Sequence, residues 1–433
     1  MPLFAALPRP PRQAEHPARG TATGDSLPRT SIAVAALSTI VEWYDFTLYL
    51  FMATILSRVI FGGGTESLLA TLAVFAVSYL LRPLGALVFG RFGDRFGRRP
   101  VLLASMAVMA AAMFATTLLP THAQAGATAG AAFLALRCLM AFSVGGEYSA
   151  ISTYLYEGAR PGRRGLIASL ASMASEIGAL LAVAVSAITT TMLDQAALDN
   201  WGWRIPFAFG TCLALATLAA RSTLRETPVF AGQPTGETHR PLRFTLRTHR
   251  AGLYRTFAIS ALASIAYYVG ILYVPTFLTS VSGFPEGSSL WLSTVASVTV
   301  IAVTPFAGAL SDRIGRRTTL LVLCAAAIAL PVFMFALMTS GSVTAALAGA
   351  VVLACTAVGA SAAAEQFAPA GRLTGLALGA TAATAVFGGI APYAAEFLTQ
   401  ATGWNLMPGA LVAAVALSVL PVLARMPETS GQA

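Results

Sequence analysis

Long apolar runs separated by short polar loops follow one another along most of the chain. A membrane helix needs about 20 mostly apolar residues, so this pattern predicts twelve membrane-spanning helices, which we number spans 1 to 12. A polar stretch at residues 221–253 divides them six and six. The predicted ranges are 31–60, 67–90, 101–120, 127–154, 165–192 and 205–220, then 254–280, 289–310, 318–339, 342–364, 373–398 and 406–425.

A charged hinge between spans 2 and 3 returns, little altered, between spans 8 and 9. Residues 90–100 read Gly-Arg-Phe-Gly-Asp-Arg-Phe-Gly-Arg-Arg-Pro, and residues 308–317 read Gly-Ala-Leu-Ser-Asp-Arg-Ile-Gly-Arg-Arg. The two copies lie about half a chain apart, which indicates an internal duplication. Because six is an even number, both halves have the same orientation. The predicted fold class is an all-α integral membrane protein with two six-helix pseudo-repeats.

Composition and charge support the membrane class and set the orientation. Apolar residues make up 56% of the chain and charged residues 10%, with a net charge of +9. The arginines concentrate in the N-terminal tail and in loops 2–3, 4–5, 6–7 and 8–9, whereas Arg58 and Arg204 are exceptions on the opposite side. By the positive-inside rule, both termini are expected in the cytoplasm, with the bilayer of the inner (plasma) membrane around the spans. Charge spread over several loops argues against nucleic acid as a partner.

These features predict five regions along the chain. The predicted regions are a disordered cytoplasmic tail at 1–30, a six-helix bundle at 31–220, a cytoplasmic loop at 221–253, a second bundle at 254–425 and a short cytoplasmic tail at 426–433. The four cysteines lie inside apolar runs and the four histidines in tails or loops, which predicts no metal site and no cofactor. No nucleophile–base set or nucleotide loop is present, so an enzyme is not expected.

The repeated hinge resembles the loop 2–3 signature of the major facilitator superfamily, G-x-x-x-D-R/K-x-G-R-R. Further stretches narrow the resemblance to its metabolite:proton symporters, whose members take up citrate, 2-oxoglutarate, shikimate, or proline and betaine. It covers roughly residues 31–425, but Arg137-Cys-Leu-Met-Ala141 departs from the Arg-x-x-Gln-Gly of many relatives. The stretches are Glu42-Trp-Tyr-Asp-Phe46, Arg82-Pro-Leu-Gly85, Phe142-Ser-Val-Gly-Gly-Glu-Tyr148, Trp201-Gly-Trp-Arg-Ile-Pro-Phe207 and Glu226-Thr-Pro-Val-Phe230.

Ionisable residues inside the spans are functional candidates because charge is expensive in a bilayer. All that we single out belong to the first half, and spans 7–12 have no charge near their centres. Proton coupling is therefore expected in the first half, at Asp45, Glu42 or Glu147. For Asp45 and Glu42 the alternative is a permanent ion pair with Arg137. For Glu147 it is a pair with an arginine at a cytoplasmic gate, and for Arg82 a structural role near the cytoplasmic end of span 2 is favoured. The ionisable candidates are Glu42, Asp45, Arg82, Arg137, Glu147 and Glu176.

Substrate contacts are predicted from charged and tyrosine side chains in spans 1, 4, 5 and 7. Arg137 suits a carboxylate, with gating or ion pairing as its alternative. Glu176 either tunes specificity or makes a local hydrogen bond. The tyrosines of span 7 line a cavity or sit in the core or an interfacial belt. The predicted substrate-binding residues are Arg137, Tyr49, Glu176, Tyr267, Tyr268 and Tyr273.

The two hinges are predicted to form a cytoplasmic gate. Each aspartate is expected to accept hydrogen bonds from amides at a helix N-terminus and to pair with a nearby arginine. The alternative is that the hinges form tight turns and that their arginines only set the orientation of the chain in the membrane. The predicted gate residues are Gly90, Asp94, Arg95, Arg98, Asp312, Arg313 and Arg316.

Together these observations predict a proton-coupled carrier, active as a monomer, that imports a small organic acid such as a di- or tricarboxylate by alternating access. Within the family, a symporter for a zwitterionic osmolyte such as proline or betaine is the alternative. A drug or antibiotic exporter is a second alternative, although span 5 lacks the proline of such exporters. A receptor that binds without transport is a third.

Overall fold

The computed structural model describes residues 29–96, 98–145, 164–222, 250–340, 362–363, 365–366 and 372–428. Within these ranges the chain forms helices joined by short turns, and no strand occurs in them. Predictions for most of the N-terminal tail, for most of the central loop, for most of span 10 and for Glu147 fall outside the described residues.

In the first half, span 1 is broken rather than continuous as predicted. Its two helices meet at a 70° bend, because Met52 leaves helical geometry with φ −94° and ψ 6°. The helices of this half are Arg29–Phe51 and Ala53–Phe61 (span 1), Thr65–Leu80 and Arg82–Phe96 (span 2), Arg98–Thr117 (span 3), Ala127–Val144 (span 4), Arg164–Met192 (span 5) and Arg204–Ser222 (span 6), with short helices at His122–Ala125 and Gln195–Ala197 and a π-turn at Leu198–Gly202.

In the second half, spans 7 and 11 each contain a π-helical turn near the middle. In span 11 this turn falls in the Phe387-Gly-Gly-Ile-Ala-Pro392 stretch. Such turns insert one residue per bulge and are frequent at functional sites. The helices are Arg250–Tyr267, Tyr268–Leu272 (π) and Val274–Ser280 (span 7), Glu286–Ile314 (span 8), Arg316–Thr339 (span 9), Arg372–Thr384, Ala385–Gly389 (π) and Ala391–Thr402 (span 11) and Met407–Ala424 (span 12).

The described helices have the length and composition of membrane spans. Nine pass that test, and the bent pair of span 1 makes a tenth, while span 3 contributes a shorter apolar helix at 102–117. The predicted fold class is confirmed by this arrangement together with the structural comparisons given below.

Glycines bring spans 2 and 4 into close contact, and this explains why two of the quoted stretches occur together. A Cβ on Gly85 would lie 1.9 Å from the carbonyl oxygen of Phe142, and one on Gly145 would lie 2.0 Å from that of Arg82. A Cβ on Gly178 of span 5 would likewise lie 2.4 Å from the carbonyl oxygen of Ile40 in span 1. Small residues therefore allow close packing of span 2 on span 4 and of span 1 on span 5, the four spans that carry these buried charges.

Candidate functional site

The first buried ion pair joins Asp45 of span 1 to Arg137 of span 4. Arg137 donates from Nη1 to Oδ1 at 2.9 Å and from Nη2 to Oδ2 at 3.0 Å, and Nη2 also approaches the Asp45 carbonyl oxygen at 3.3 Å. The side chains are 1% and 2% exposed. The guanidinium lies 4.9 Å from the centroid of the Tyr49 ring. Both partners belong to the first half, and each carboxylate oxygen already accepts a hydrogen bond.

The second buried ion pair joins Glu42 of span 1 to Arg82 of span 2, and it is less complete. Arg82 Nη2 donates to Glu42 Oε1, and Nη1 donates to the hydroxyl of Tyr79 at 2.8 Å. The guanidinium also stacks 4.2 Å from the centroid of the Phe46 ring. Glu42 Oε2 is buried and accepts no hydrogen bond from the described residues, so this carboxylate has room for one more partner.

A tyrosine pair carries this second network across to the other half. The hydroxyl of Tyr79 in span 2 shares a hydrogen bond with the hydroxyl of Tyr268, the first residue of the π-turn in span 7. Tyr79 also packs on span 11, where a Cβ on Gly389 would lie 2.5 Å from its own Cβ. The chain Glu42, Arg82, Tyr79, Tyr268 therefore connects a carboxylate of the first half to a backbone irregularity of the second.

Glu176 and Tyr267 form another contact between the halves. Tyr267 of span 7 donates its hydroxyl to Glu176 Oε2 of span 5 at 3.4 Å. The Tyr267 ring meets the Trp43 ring of span 1 nearly at right angles, with centroids 5.7 Å apart. Glu176 is 8% exposed, and the structure places all three residues near the middle of their spans.

The remaining two predicted substrate tyrosines lie elsewhere. Tyr49 is buried inside the first half, where its hydroxyl donates to the Thr71 carbonyl oxygen at 2.6 Å and its ring stacks on Phe133. Tyr273 is fully buried, which excludes a place in an interfacial belt. Its hydroxyl donates to Glu396 of span 11.

Sequence reasoning missed Glu396, because it sits away from the centre of its apolar run. This carboxylate is 3% exposed and also accepts from Gln400 Nε2 at 2.8 Å. Buried carboxylates therefore occur in both halves, although Glu396 lies away from the centre of its span, as the expectation for spans 7–12 allowed. The spacing of Glu396 and Gln400 was the signal that could have revealed this site, because residues four apart lie on the same face of a helix.

At the end of the bundle opposite the hinges, Arg58 links the halves. This residue of span 1 donates from Nη1 to Glu286 Oε1 of span 8 at 2.6 Å and from Nη2 to Oε2 at 3.0 Å. It also pairs with Asp199 Oδ1 at 3.2 Å. From the sequence, Arg58 was only an exception to the positive-inside rule. That exception was the available signal for this cluster of Arg58, Glu286 and Asp199.

The second hinge is held together within its own half. Arg316 pairs with Asp312 at 2.6 Å and with Glu365 at 3.3 Å, and its Nη1 donates to Ser311 Oγ at 2.8 Å. Asp312 pairs with a nearby arginine as expected. It was also expected to accept from the amides at the start of span 9, but two of these amides have another acceptor. The backbone N–H groups of Arg316 and Arg317 donate instead to Glu428, at 2.7 and 3.1 Å.

Several predicted site residues take no part in the contacts described above. In the first hinge, Gly90, Asp94 and Arg95 lie on the helix that ends at Phe96, and Arg98 begins the next helix, but their side chains are outside the described part. Glu147 is outside it altogether. Arg313 lines a groove of about 490 Å³ at the hinge end of the bundle with Gly315, Arg317 and Glu428, among others.

Comparisons with known proteins agree in sequence and in fold. The model of the Major Facilitator Superfamily matches residues 35–340. The chain is 33% identical to the ectoine/proline transporter ProP of Corynebacterium glutamicum, covering 88% of this chain and 80% of that one. It is 33% identical to the alpha-ketoglutarate permease of Escherichia coli, covering 87% and 91%. It is 31% identical to the citrate-proton symporter of Klebsiella pneumoniae, covering 91% and 90%.

Among solved structures, the proton:xylose symporter XylE bound to 6-bromo-6-deoxy-D-glucose aligns with a TM-score of 0.73. The alignment covers 93% of this chain and 96% of that one at 18% sequence identity. At this identity the likeness describes the fold alone.

Proposed function

This chain belongs to the major facilitator superfamily, and we propose that it is a proton-coupled symporter that imports a small carboxylate-bearing metabolite by alternating access. Its relatives are transporters, so the chain is a transporter and not an enzyme. The relatives are named for substrates that include an amino acid, a zwitterionic solute and two organic acids, which all carry a carboxylate.

The observation that carries the proposal is the chain of contacts from Glu42 to Tyr268. Protonation of Glu42 removes the charge that holds Arg82, and a guanidinium keeps its own charge when buried. Arg82 is then released to bind a substrate carboxylate near the middle of the spans. Its other partner, Tyr79, contacts Tyr268 in the second half. Substrate binding to Arg82 can therefore alter the contact between the two halves, which move relative to one another during transport.

This mechanism moves the coupling role from Asp45 to Glu42. Both oxygens of Asp45 are bonded to Arg137 within one half, so a change in the relative position of the halves leaves that pair untouched. Glu42 has an unused oxygen and a partner that reaches the other half. The prediction for Arg137 as a direct substrate contact is weakened by the same geometry, because its fork is already occupied.

The contact of Arg58 with Glu286 supports a gate at the end opposite the hinges, and we keep the gate predicted from the hinges for the other end. Arg58 and Glu286 close the end opposite the hinges, and the hinge residues close the cytoplasmic end in the alternate state. The two rocking units are the bundles at 31–220 and 254–425. We place the protein in the inner membrane as a monomer with both termini in the cytoplasm, and the arginine-rich loops and the exposed apolar side chains of the spans, such as Phe306 and Phe333, support this placement.

The test is uptake into cells that lack their own carriers. The labelled panel is citrate, 2-oxoglutarate, shikimate, proline and betaine, with and without a protonophore. One substrate should accumulate, and the protonophore should abolish that accumulation. Glu42→Gln should still exchange internal for external substrate but should no longer concentrate it, because exchange needs no net proton movement.

Two results would contradict the proposal. Accumulation that survives the protonophore rules out proton symport. Concentrative uptake that persists in Glu42→Gln returns coupling to another carboxylate. Tyr268→Phe, which keeps the ring and removes the hydroxyl, is the matched variant for the inter-half contact and should slow uptake without uncoupling it.

A further inference from the structure

Glu176 is a buried carboxylate that has no counter-charge among the described residues. It lies near the middle of span 5, is 8% exposed, and receives one long hydrogen bond of 3.4 Å from the Tyr267 hydroxyl. Within the described residues, no arginine lies at ion-pair distance from it, whereas Glu42 and Asp45 each have one. A buried carboxylate in this position costs free energy unless a cation or a proton joins it.

The surroundings of Glu176 are aromatic and belong to both halves. Tyr267 of span 7 contacts Trp43 of span 1 at 5.7 Å between centroids and Tyr268 at 5.6 Å. Trp43 and Tyr267 are each partly exposed, although their neighbours Glu42 and Tyr268 are buried. Tyr267 presents its hydroxyl to the carboxylate, and aromatic rings close to a carboxylate attract a substituted ammonium group, since such a cation has few hydrogen atoms to donate and gains from ring contact.

The two arginines near the middle of the first half do not offset this charge. Arg137 is held by both oxygens of Asp45, and Arg82 is held by Glu42. Arg221, the third buried arginine among the described residues of this half, is bonded to Ser38 Oγ and to the Leu102 carbonyl oxygen. No described arginine is therefore bonded to Glu176, which is left to bind a cation or a proton. A substrate with two or three carboxylates meets repulsion there, while a substrate with one cationic nitrogen meets attraction.

We propose that Glu176, Trp43 and Tyr267 form a subsite for the cationic nitrogen of the substrate, which is a zwitterion with one carboxylate and one secondary or quaternary ammonium group. This inference rests on the proposed function, in which Arg82 takes the substrate carboxylate. It selects the zwitterionic class over the di- and tricarboxylates that sequence reasoning placed first. Nitrogen and carboxylate then contact residues of different spans, and the nitrogen contacts both halves.

A pair of isosteric probes tests the charge alone. Glycine betaine and 3,3-dimethylbutanoate have the same shape, but the second has a quaternary carbon in place of the nitrogen. With purified wild-type protein in detergent, glycine betaine or proline should raise the melting temperature, and 3,3-dimethylbutanoate should not. Glu176→Gln should weaken binding of the cationic probe about tenfold or more, because the ionic contact is lost and the shape is kept. Tyr267→Phe keeps the ring of the subsite and removes only the hydroxyl that bonds to Glu176, so it should weaken binding less than Glu176→Gln does.

The outcomes separate this inference from the function on which it rests. Equal binding of the two isosteres, or no effect of either cationic probe on wild-type protein, overturns the inference. Proton-driven accumulation of 2-oxoglutarate or citrate that Glu176→Gln leaves intact also overturns it and leaves the proposed symport standing. Betaine uptake that requires Glu176 and ignores a protonophore supports the subsite and refutes the symport. Because the isostere comparison uses the wild-type protein, it does not depend on the folding of any variant.

Discussion

Asp45→Asn separates a structural ion pair from a coupling site. The substitution keeps the size of the side chain and removes its charge. Arg137 then stays in the protein with its guanidinium 2% exposed and without a carboxylate partner. Because water cannot reach it, the lost attraction is not replaced by hydration. Removing one partner of a buried pair costs about 3–5 kcal/mol, and this is a large fraction of a typical total stability of about 5–15 kcal/mol.

The matching double variant tests the origin of that loss. Asp45→Asn combined with Arg137→Met removes both charges, and a buried pair replaced by apolar groups is often neutral. We therefore expect the double variant to be more stable than Asp45→Asn alone. Thermal unfolding of the purified protein in detergent, measured for wild type, both single variants and the double variant, gives the coupling energy of the pair.

Glu42→Gln is the control for this cycle. Its effect on melting should be smaller, because Arg82 keeps its contacts with Tyr79 and Phe46. The reasoning would be refuted if Asp45→Asn melted like wild type, bound substrate and lost only concentrative uptake. That outcome would make Asp45 the coupling residue and Glu42 its structural neighbour.

Two further predictions concern the contacts between the halves. Arg58→Ala removes the bond to Glu286 and should favour the state open at that end by about 1 kcal/mol, since the pair is partly exposed. In this variant, a cysteine introduced at Thr190 should react faster with an impermeant thiol reagent. Arg204→Ala breaks bonds to backbone oxygens of the first half only and should leave the reaction rate of that cysteine unchanged. Gly389→Val pushes span 11 away from span 2 and should lower the maximum uptake rate while the protein still folds; unchanged uptake would show that this close approach is dispensable.

Sequence patterns predicted the spans well because each span is a local property. A run of apolar residues near the length of the bilayer core specifies a membrane helix without reference to its neighbours. The break in span 1 was not predictable in this way. Met52 is an ordinary helix former, and the sequence around it contains no proline or glycine to mark a bend.

The pairing of the buried charges was only partly accessible from sequence. Spacing placed Glu42 and Asp45 on one helical face, but the choice of partner depends on which spans pack together. Gly85 and Gly145 bring span 2 against span 4, and span 1 then pairs Glu42 with Arg82 of span 2 and Asp45 with Arg137 of span 4. These contacts join residues far apart in the chain, and periodicity carries no information about them.

Polar residues near the ends of spans were the main source of omissions. Glu396 and Glu286 were passed over because a charge near the end of an apolar run is inexpensive and common. Their roles arise from partners in other spans, Tyr273 and Arg58. Glu428 was passed over for the same reason, although it accepts the first amides of span 9.

The contact made by Glu428 ties the segment after span 12 to the second half as one body. Two amide donors at 2.7 and 3.1 Å hold its carboxylate, and Met426 beside it is 1% exposed. A fluorophore attached in the segment after span 12 should therefore rotate together with the second bundle and should not diffuse independently of it. Paired with a dye on the first bundle, it offers a direct optical record of the transport cycle in single molecules.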